Sequence, residues 1–131
     1  MPKGDAQRVW FPEMVERLRS RWHEGMSMEA LIELRDDLDG ILSHIRSARQ
    51  IRSPVVTCRV CGATGREPAP HVSVGAMLAA LVRFGITGRA SARAFERDWA
   101  TYRQQHGLDL YGKTPDPKPV DPKRCAHLTA S

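Results

Sequence analysis

The stretch "ALIELRDDLDGILSHI", residues 30–45, decides the fold. Leu31, Leu34, Leu38, Ile41 and Ile45 recur at alternating spacings of three and four, with Ile32 and Leu42 widening the stripe. That period places them along one face of an α-helix. A strand, whose faces alternate at every second residue, would scatter them. The charges are sorted along the same segment: Glu29, Glu33, Asp36, Asp37 and Asp39 come early and Arg46, Arg49 and Arg52 late. This order complements the helix dipole, and a solvated helix face accounts for the acidic cluster. Ser27 supplies an N-cap and the helix is predicted to end near Gln50. Gly40, inside it, predicts a close helix crossing or a kink.

Toward the N-terminus, Phe11, Met14, Val15, Leu18 and Trp22 form a second amphipathic pattern, with Pro12 suited to its first turn. Gly25 is expected to end that helix in a left-handed conformation. Toward the C-terminus, Ser53-Pro54 followed by Val55, Val56 and Thr57 reads as a short extended segment. The glycines and prolines of residues 62–70 read as a loop. Ser73 then caps a helix carrying Val74, Met77, Leu78, Leu81 and Val82 and closing at Phe84. After the tight "GITG" connection, Phe95, Trp99 and Tyr102 mark a last helix ending at Gly107. From Lys113, "KTPDPKPVDPKR" is proline-rich and nearly devoid of apolar residues. It is expected to be an extended, disordered tail.

The expected architecture is mainly α: a small helical bundle of about four helices with a short zinc-knuckle-like insert. Residues 1–112 form the helical domain with the Cys-x-x-Cys insert at 54–72, and 113–131 form the tail. The chain has 131 residues, 41% apolar and 27% charged, which fits one soluble globular domain. Its longest strongly apolar run, "AMLAALV", falls far short of the ~20 residues that span a bilayer. The opening "MPKGDAQRV" lacks the apolar region of a secretory leader, so a cytoplasmic location is expected and no membrane partner. Three cysteines, an odd number, point to metal or thiols rather than a disulfide framework. A net charge of +5 and a pI near 9.6 raise the prospect of a polyanionic partner.

A Cys-x-x-Cys pair lets two thiolates face one point, and a following glycine permits a tight turn whose backbone N–H groups can point at sulfur. Cys58-Arg59-Val60-Cys61-Gly62 has that form. Over these five residues it resembles the zinc knuckles of zinc ribbons and rubredoxin-like sites. A redox pair would need a thiol at a helix N-terminus, and Gly62, Gly65, Pro68 and Pro70 keep the following residues out of a helix. Structural zinc is therefore the expected cofactor, with two buried thiols as the alternative. Tetrahedral zinc needs four ligands. His71 is the nearest further candidate; Cys125 and His127 would complete a Cys3His set if the tail folds back. A third arrangement shares one metal between the Cys58 and Cys61 pairs of two protomers.

No enzyme is expected. The His-x-Glu of zinc deaminases and the His-Glu-x-x-His of zinc proteases are both absent, and His44 and His106 lack partners at metal spacing. "GATG" and "GITG" lack the strand and lysine of a phosphate loop, and no small-molecule substrate is inferred. Two segments imitate a helix-turn-helix. The first, "RWHEGMSMEALIEL", opens its second helix with Glu29 and Glu33, which would repel phosphates. In the second, Arg89, Arg93 and Arg97 follow one another at i, i+4 and i+8, with Gln104 further along and Phe95, Trp99 and Tyr102 opposite, although Glu96 and Asp98 interrupt the surface. The expected function is a non-catalytic zinc-binding protein acting as a nucleic-acid-binding or regulatory module on DNA or RNA. The alternative is a protein-interaction module with no nucleic-acid role, in which the 31–45 stripe meets a partner helix or its own copy in a homodimer.

Overall fold

The computed structural model describes residues 10–114. In chain order these form α1 (Pro12–Arg21), α2 (Met28–Ala48), β1 (Val55–Thr57), β2 (Thr64–Arg66), α3 (Val74–Arg83) and α4 (Arg89–His106). The protein is thus mainly helical, with one small two-stranded sheet between the helix pairs. No helix among the described residues is long and apolar enough to cross a membrane. Cys125 and His127, and the tail from residue 115, lie outside the described residues.

The long helix organises the rest. Ser27 Oγ accepts a hydrogen bond from the Ala30 N–H at 3.1 Å, satisfying one of the orphan donors of α2. Leu31, Leu34, Leu38, Leu42 and Ile45 are all buried, and α2 touches each of the other three helices. Met14 and Leu18 of α1, Val74, Met77, Leu78 and Leu81 of α3, and Phe95 and Trp99 of α4 complete the core. Each such side chain contributes roughly 1.5–3 kcal/mol on burial. The 31–45 stripe therefore packs mainly inside the chain, with Ile32 and Ile41 only partly buried.

Several local expectations change. Trp22 leaves α1 in an extended conformation, φ −71° and ψ 136°, and Gly25 has no positive φ, so no left-handed glycine ends that helix. Trp22 instead anchors the exit against Phe95, with ring centroids 4.7 Å apart. Gly40 is exposed, and a Cβ there would meet nothing within 4 Å, so no crossing requires it. The end of α2 is a left-handed cap built on a residue other than glycine. Gln50 has φ 54°, with its N–H bonded to Ser47 C=O at 3.1 Å and the Ile51 N–H to Arg46 C=O at 2.8 Å.

The loop expected over residues 62–70 contains a strand. Thr64–Arg66 pairs antiparallel with Val55–Thr57 in the register Val55↔Arg66, Val56↔Gly65, Thr57↔Thr64. Ser73 caps α3 through the Ala76 N–H at 3.0 Å, as its position predicts. Gly85, φ 68°, ends α3 with the same two-bond cap seen at Gln50. Gly107, φ 62°, ends α4.

After α4 the chain turns back over α2. The Leu110 carbonyl accepts the Val74 N–H at 3.1 Å, and Asp109 Oδ1 accepts the N–H groups of Tyr111 and Lys113 at 2.9 and 3.0 Å. Gly112, φ 76°, lies against Ile32. The two glycines at opposite ends of this comparison give a test. Gly40→Ala is expected to stabilise by roughly 0.5–1 kcal/mol, because an exposed helical site gains propensity without a clash. Gly112→Ala is expected to destabilise by roughly 1–3 kcal/mol, through its positive φ and overpacking against Ile32. Urea unfolding midpoints of the two variants check both signs.

Candidate metal turn and cationic helix face

The two strands present the cysteines on the turn between them. The Cys58 N–H donates to Ala63 C=O at 2.7 Å and the Gly62 N–H to Cys58 C=O at 2.9 Å, closing a compact loop. Gly62 sits at φ 75°, a conformation that nearly any other residue would adopt under strain. Cys58 is buried at the base of this turn, whereas Cys61 is exposed. A pair of β-strands leading into a Cys-x-x-Cys-Gly turn is the local geometry from which two thiolates can address one cation.

His71 is placed elsewhere. Its Nδ1 lies 3.1 Å from Asp39 Oδ2, and its ring meets Tyr111 edge-on at 5.9 Å. Asp39 also accepts the Val72 N–H at 3.1 Å. One helical turn earlier, the buried Arg35 donates Nη1 to Val72 C=O at 2.7 Å and Nη2 to Asp36 Oδ1 at 2.6 Å. Arg35 and Asp39 together hold the backbone at Val72 on both its donor and its acceptor. Among the described residues, no group of three or more His, Cys, Asp or Glu side chains converges to hold a metal. His71 is therefore not brought into one three-ligand set with Cys58 and Cys61.

The acidic cluster of α2 is not a bare solvated face. Asp37 pairs with Arg17 and Arg21 of α1 at 3.2 and 3.1 Å, and Asp36 receives both Arg35 and Lys113 Nζ, the latter at 2.9 Å. Sequence spacing could not reveal these pairs, because their partners are brought in by folding. Of the acidic residues of the first helix-turn-helix look-alike, Glu24 and Glu29 make internal contacts while Glu33 is exposed. Glu24 accepts from Thr87 Oγ1 at 2.8 Å and Glu29 from the Tyr102 hydroxyl at 3.3 Å. Partial desolvation and then the Glu29 carboxylate push the Tyr102 phenol above its ordinary pKa.

Arg89, Arg93 and Arg97 are all exposed on α4, on the side away from the buried Ala92, Phe95 and Trp99. Gln104 is exposed further along, and Glu96 and Asp98 are exposed among them. Unlike Arg17, Arg21, Arg35 and Arg49, which each pair with a carboxylate, these three form no ion pair among the described residues. They are one helical turn apart, so their guanidinium groups form a row with no described counterion. No protein-family model, curated protein or solved structure matches the chain.

The Arg35–Asp36–Lys113 contacts carry a pH signature. Burial pushes the Asp36 carboxyl upward, but hydrogen bonds and charge from Arg35 and Lys113 outweigh it and hold the pKa below its ordinary value. A depressed carboxylate adds stability that is complete above the unfolded-chain value of about 3.9 and is lost as pH falls through the folded value. The stability difference between wild type and Asp36→Asn is expected to be flat from neutral pH to about pH 5 and to shrink below about pH 4. Thermal melts followed by circular dichroism at stepped pH measure it; a difference that persists undiminished at pH 2 contradicts the pairing.

Proposed function

We propose that this chain is a non-catalytic zinc-binding module that contacts nucleic acid through the outer face of α4. The observation that carries the reading is the row of Arg89, Arg93 and Arg97, exposed without a described carboxylate partner on a helix whose other face is locked into the core. Arginine forks match phosphate oxygens, and a helix held rigid on one side loses little freedom when the other side binds. The α3–Gly85–α4 unit has the element order of a helix-turn-helix, with α4 as the recognition helix.

Zinc enters through Cys58 and Cys61. The hairpin has only three residues per strand, and Val55 and Val60 remain exposed, so little apolar burial holds it. A metal at its turn would supply what packing does not. Two further ligands are needed, and three sources compete: His71, whose Nδ1 partner Asp39 would fix the tautomer that leaves Nε2 for metal; Cys125 with His127; or the cysteine pair of a second copy. The exposed Val55 and Val60 favour a second reading, in which the hairpin meets a protein.

Elemental analysis of protein purified without added metal is expected to give zinc at about one per chain, or about one per two chains if copies share it. Cys58→Ser should release it and lower the melting temperature. Retained metal after either His71→Ala or Cys125→Ser removes that residue from the ligand set, and metal content unchanged by Cys58→Ser removes the site.

Oligonucleotide binding, read by fluorescence anisotropy at low salt, is expected to be abolished by joint Arg89→Glu, Arg93→Glu and Arg97→Glu substitution with the melting temperature retained. Three phosphate contacts imply a slope of log K against log salt near −3 on duplex DNA, falling by about one for Arg93→Gln. Full binding by the triple variant refutes the α4 interface. A salt-insensitive partner captured through Val55 and Val60 would instead support the protein reading.

A further inference from the structure

The cysteine turn offers two thiols, whereas tetrahedral zinc takes four ligands. His71 is held away from that turn. Asp39 fixes its Nδ1, Tyr111 meets its ring, and Arg35 and Asp39 grip the next residue, Val72, by both backbone groups. His71 lines a cleft with Asp39, Arg46 and Arg66 that holds neither Cys58 nor Cys61, and the hollow beside Cys58 holds no histidine.

That hollow, about 660 Å³ in volume, opens on one face of the hairpin. Residues two apart on a strand share a face, so Val56 and Cys58 look the same way. Gly65, opposite Val56, adds no side chain there. Glu67, two residues further on and bonded through its N–H to Pro54 C=O at 3.0 Å, stands on that face as well. Arg59, Val60 and Pro68 complete the lining. Val60 directly precedes Cys61 and is 78% exposed, so the apolar surface of the turn lies beside its sulfur ligands. Arg59 and Glu67 are both exposed, carry opposite charges and form no ion pair among the described residues.

We infer, resting on the zinc reading of this turn, that a second copy of the chain covers this face about a two-fold axis and that Cys58 and Cys61 of both copies hold one zinc ion. Each of the four thiols gives up its proton and forms one S–Zn bond, so the cation replaces four protons. A two-fold axis brings like surface against like, and the patch must therefore complement itself. One guanidinium and one carboxylate leave no net charge to repel their own image, and Arg59 of each copy can meet Glu67 of the other. Val56 and Val60 gain cover from the same valines. The tail is a poorer cover: residues 113–124, which lead to Cys125, carry Val120 as their one aliphatic side chain.

The test titrates zinc into the reduced, metal-free full chain, followed by native mass spectrometry and by light scattering after gel filtration. The expected end point is one zinc per two chains, in a dimer that forms as zinc is added and returns to monomer in EDTA. Cys61→Ser should lose zinc and dimer together, while His71→Ala and Cys125→Ser keep both. Val60→Glu, which sets like charges face to face, should weaken zinc-dependent dimerisation about tenfold or more. Because Val60 is exposed, the melting temperature of the metal-free monomer should not change. Arg59→Glu should weaken the dimer in the same way, and adding Glu67→Arg to it should restore most of the loss.

Zinc at one per chain in a monomer overturns the shared site and leaves the zinc reading standing. A dimer that persists in EDTA, wild-type dimerisation by Val60→Glu, or zinc lost with His71→Ala or Cys125→Ser also overturns the shared site. No zinc bound at any ratio overturns both.

Discussion

The buried guanidinium of Arg35 is the constraint on which the arrangement depends. A charge removed from water is tolerable only when its donors are satisfied, and removing a partner from such a group is far more damaging than never having buried it. Arg35 meets this demand with three parts of the chain at once. Asp36 answers its charge within α2, Val72 C=O takes Nη1 from the segment before α3, and the Tyr111 ring lies 5.4 Å from the guanidinium carbon in the segment after α4. The apolar core would tolerate some sliding of helices over one another. A directional buried donor does not, so Arg35 sets where the 71–72 and 108–113 segments sit on the long helix.

From that fixed point the candidate surfaces separate by how well each is held. The α4 face is rigid, because Ala92, Phe95 and Trp99 are buried behind it and Tyr102 reaches Glu29. The cysteine turn rests on a hairpin with little packing of its own. Basic residues are likewise divided. Arg17 and Arg21 pair with Asp37 and Arg35 pairs with Asp36, Arg19 and Arg103 donate to the Phe84 and Leu108 carbonyls, and Arg89, Arg93 and Arg97 of α4 are exposed.

Much of this was legible from spacing. The stripes of α1, α2 and α4, the Ser27 and Ser73 caps and the Gly107 terminus follow from period and capping chemistry, both of which act over a few residues. Thr64–Arg66 was missed because a strand of three residues containing Gly65 carries no period, and its pairing with Val55–Thr57 supplies the order instead. Gly25 and Gly40 misled because glycine permits a left-handed turn or a close approach without requiring either. Gln50 was invisible for the converse reason: a glutamine adopts φ 54° only when the surrounding chain imposes it. At the candidate sites, the Cys-x-x-Cys-Gly turn and the α4 arginines could be picked out because each is contiguous or one helical turn apart. The hollow beside Cys58 could not, since Glu67 and Pro68 reach it from the far end of the hairpin.

The amino-acid order by itself determined the helices, their buried faces, the cysteine turn and the outward row on α4, because hydrophobic period, caps and turn chemistry are local. Tertiary structure alone decided that His71 joins Asp39, that Arg35 clamps Val72, and that Asp36 and Asp37 become partners of distant cations. Such pairings join residues far apart in sequence, and only the packed chain, by excluding water and closing the intervening loops, brings them within bonding distance.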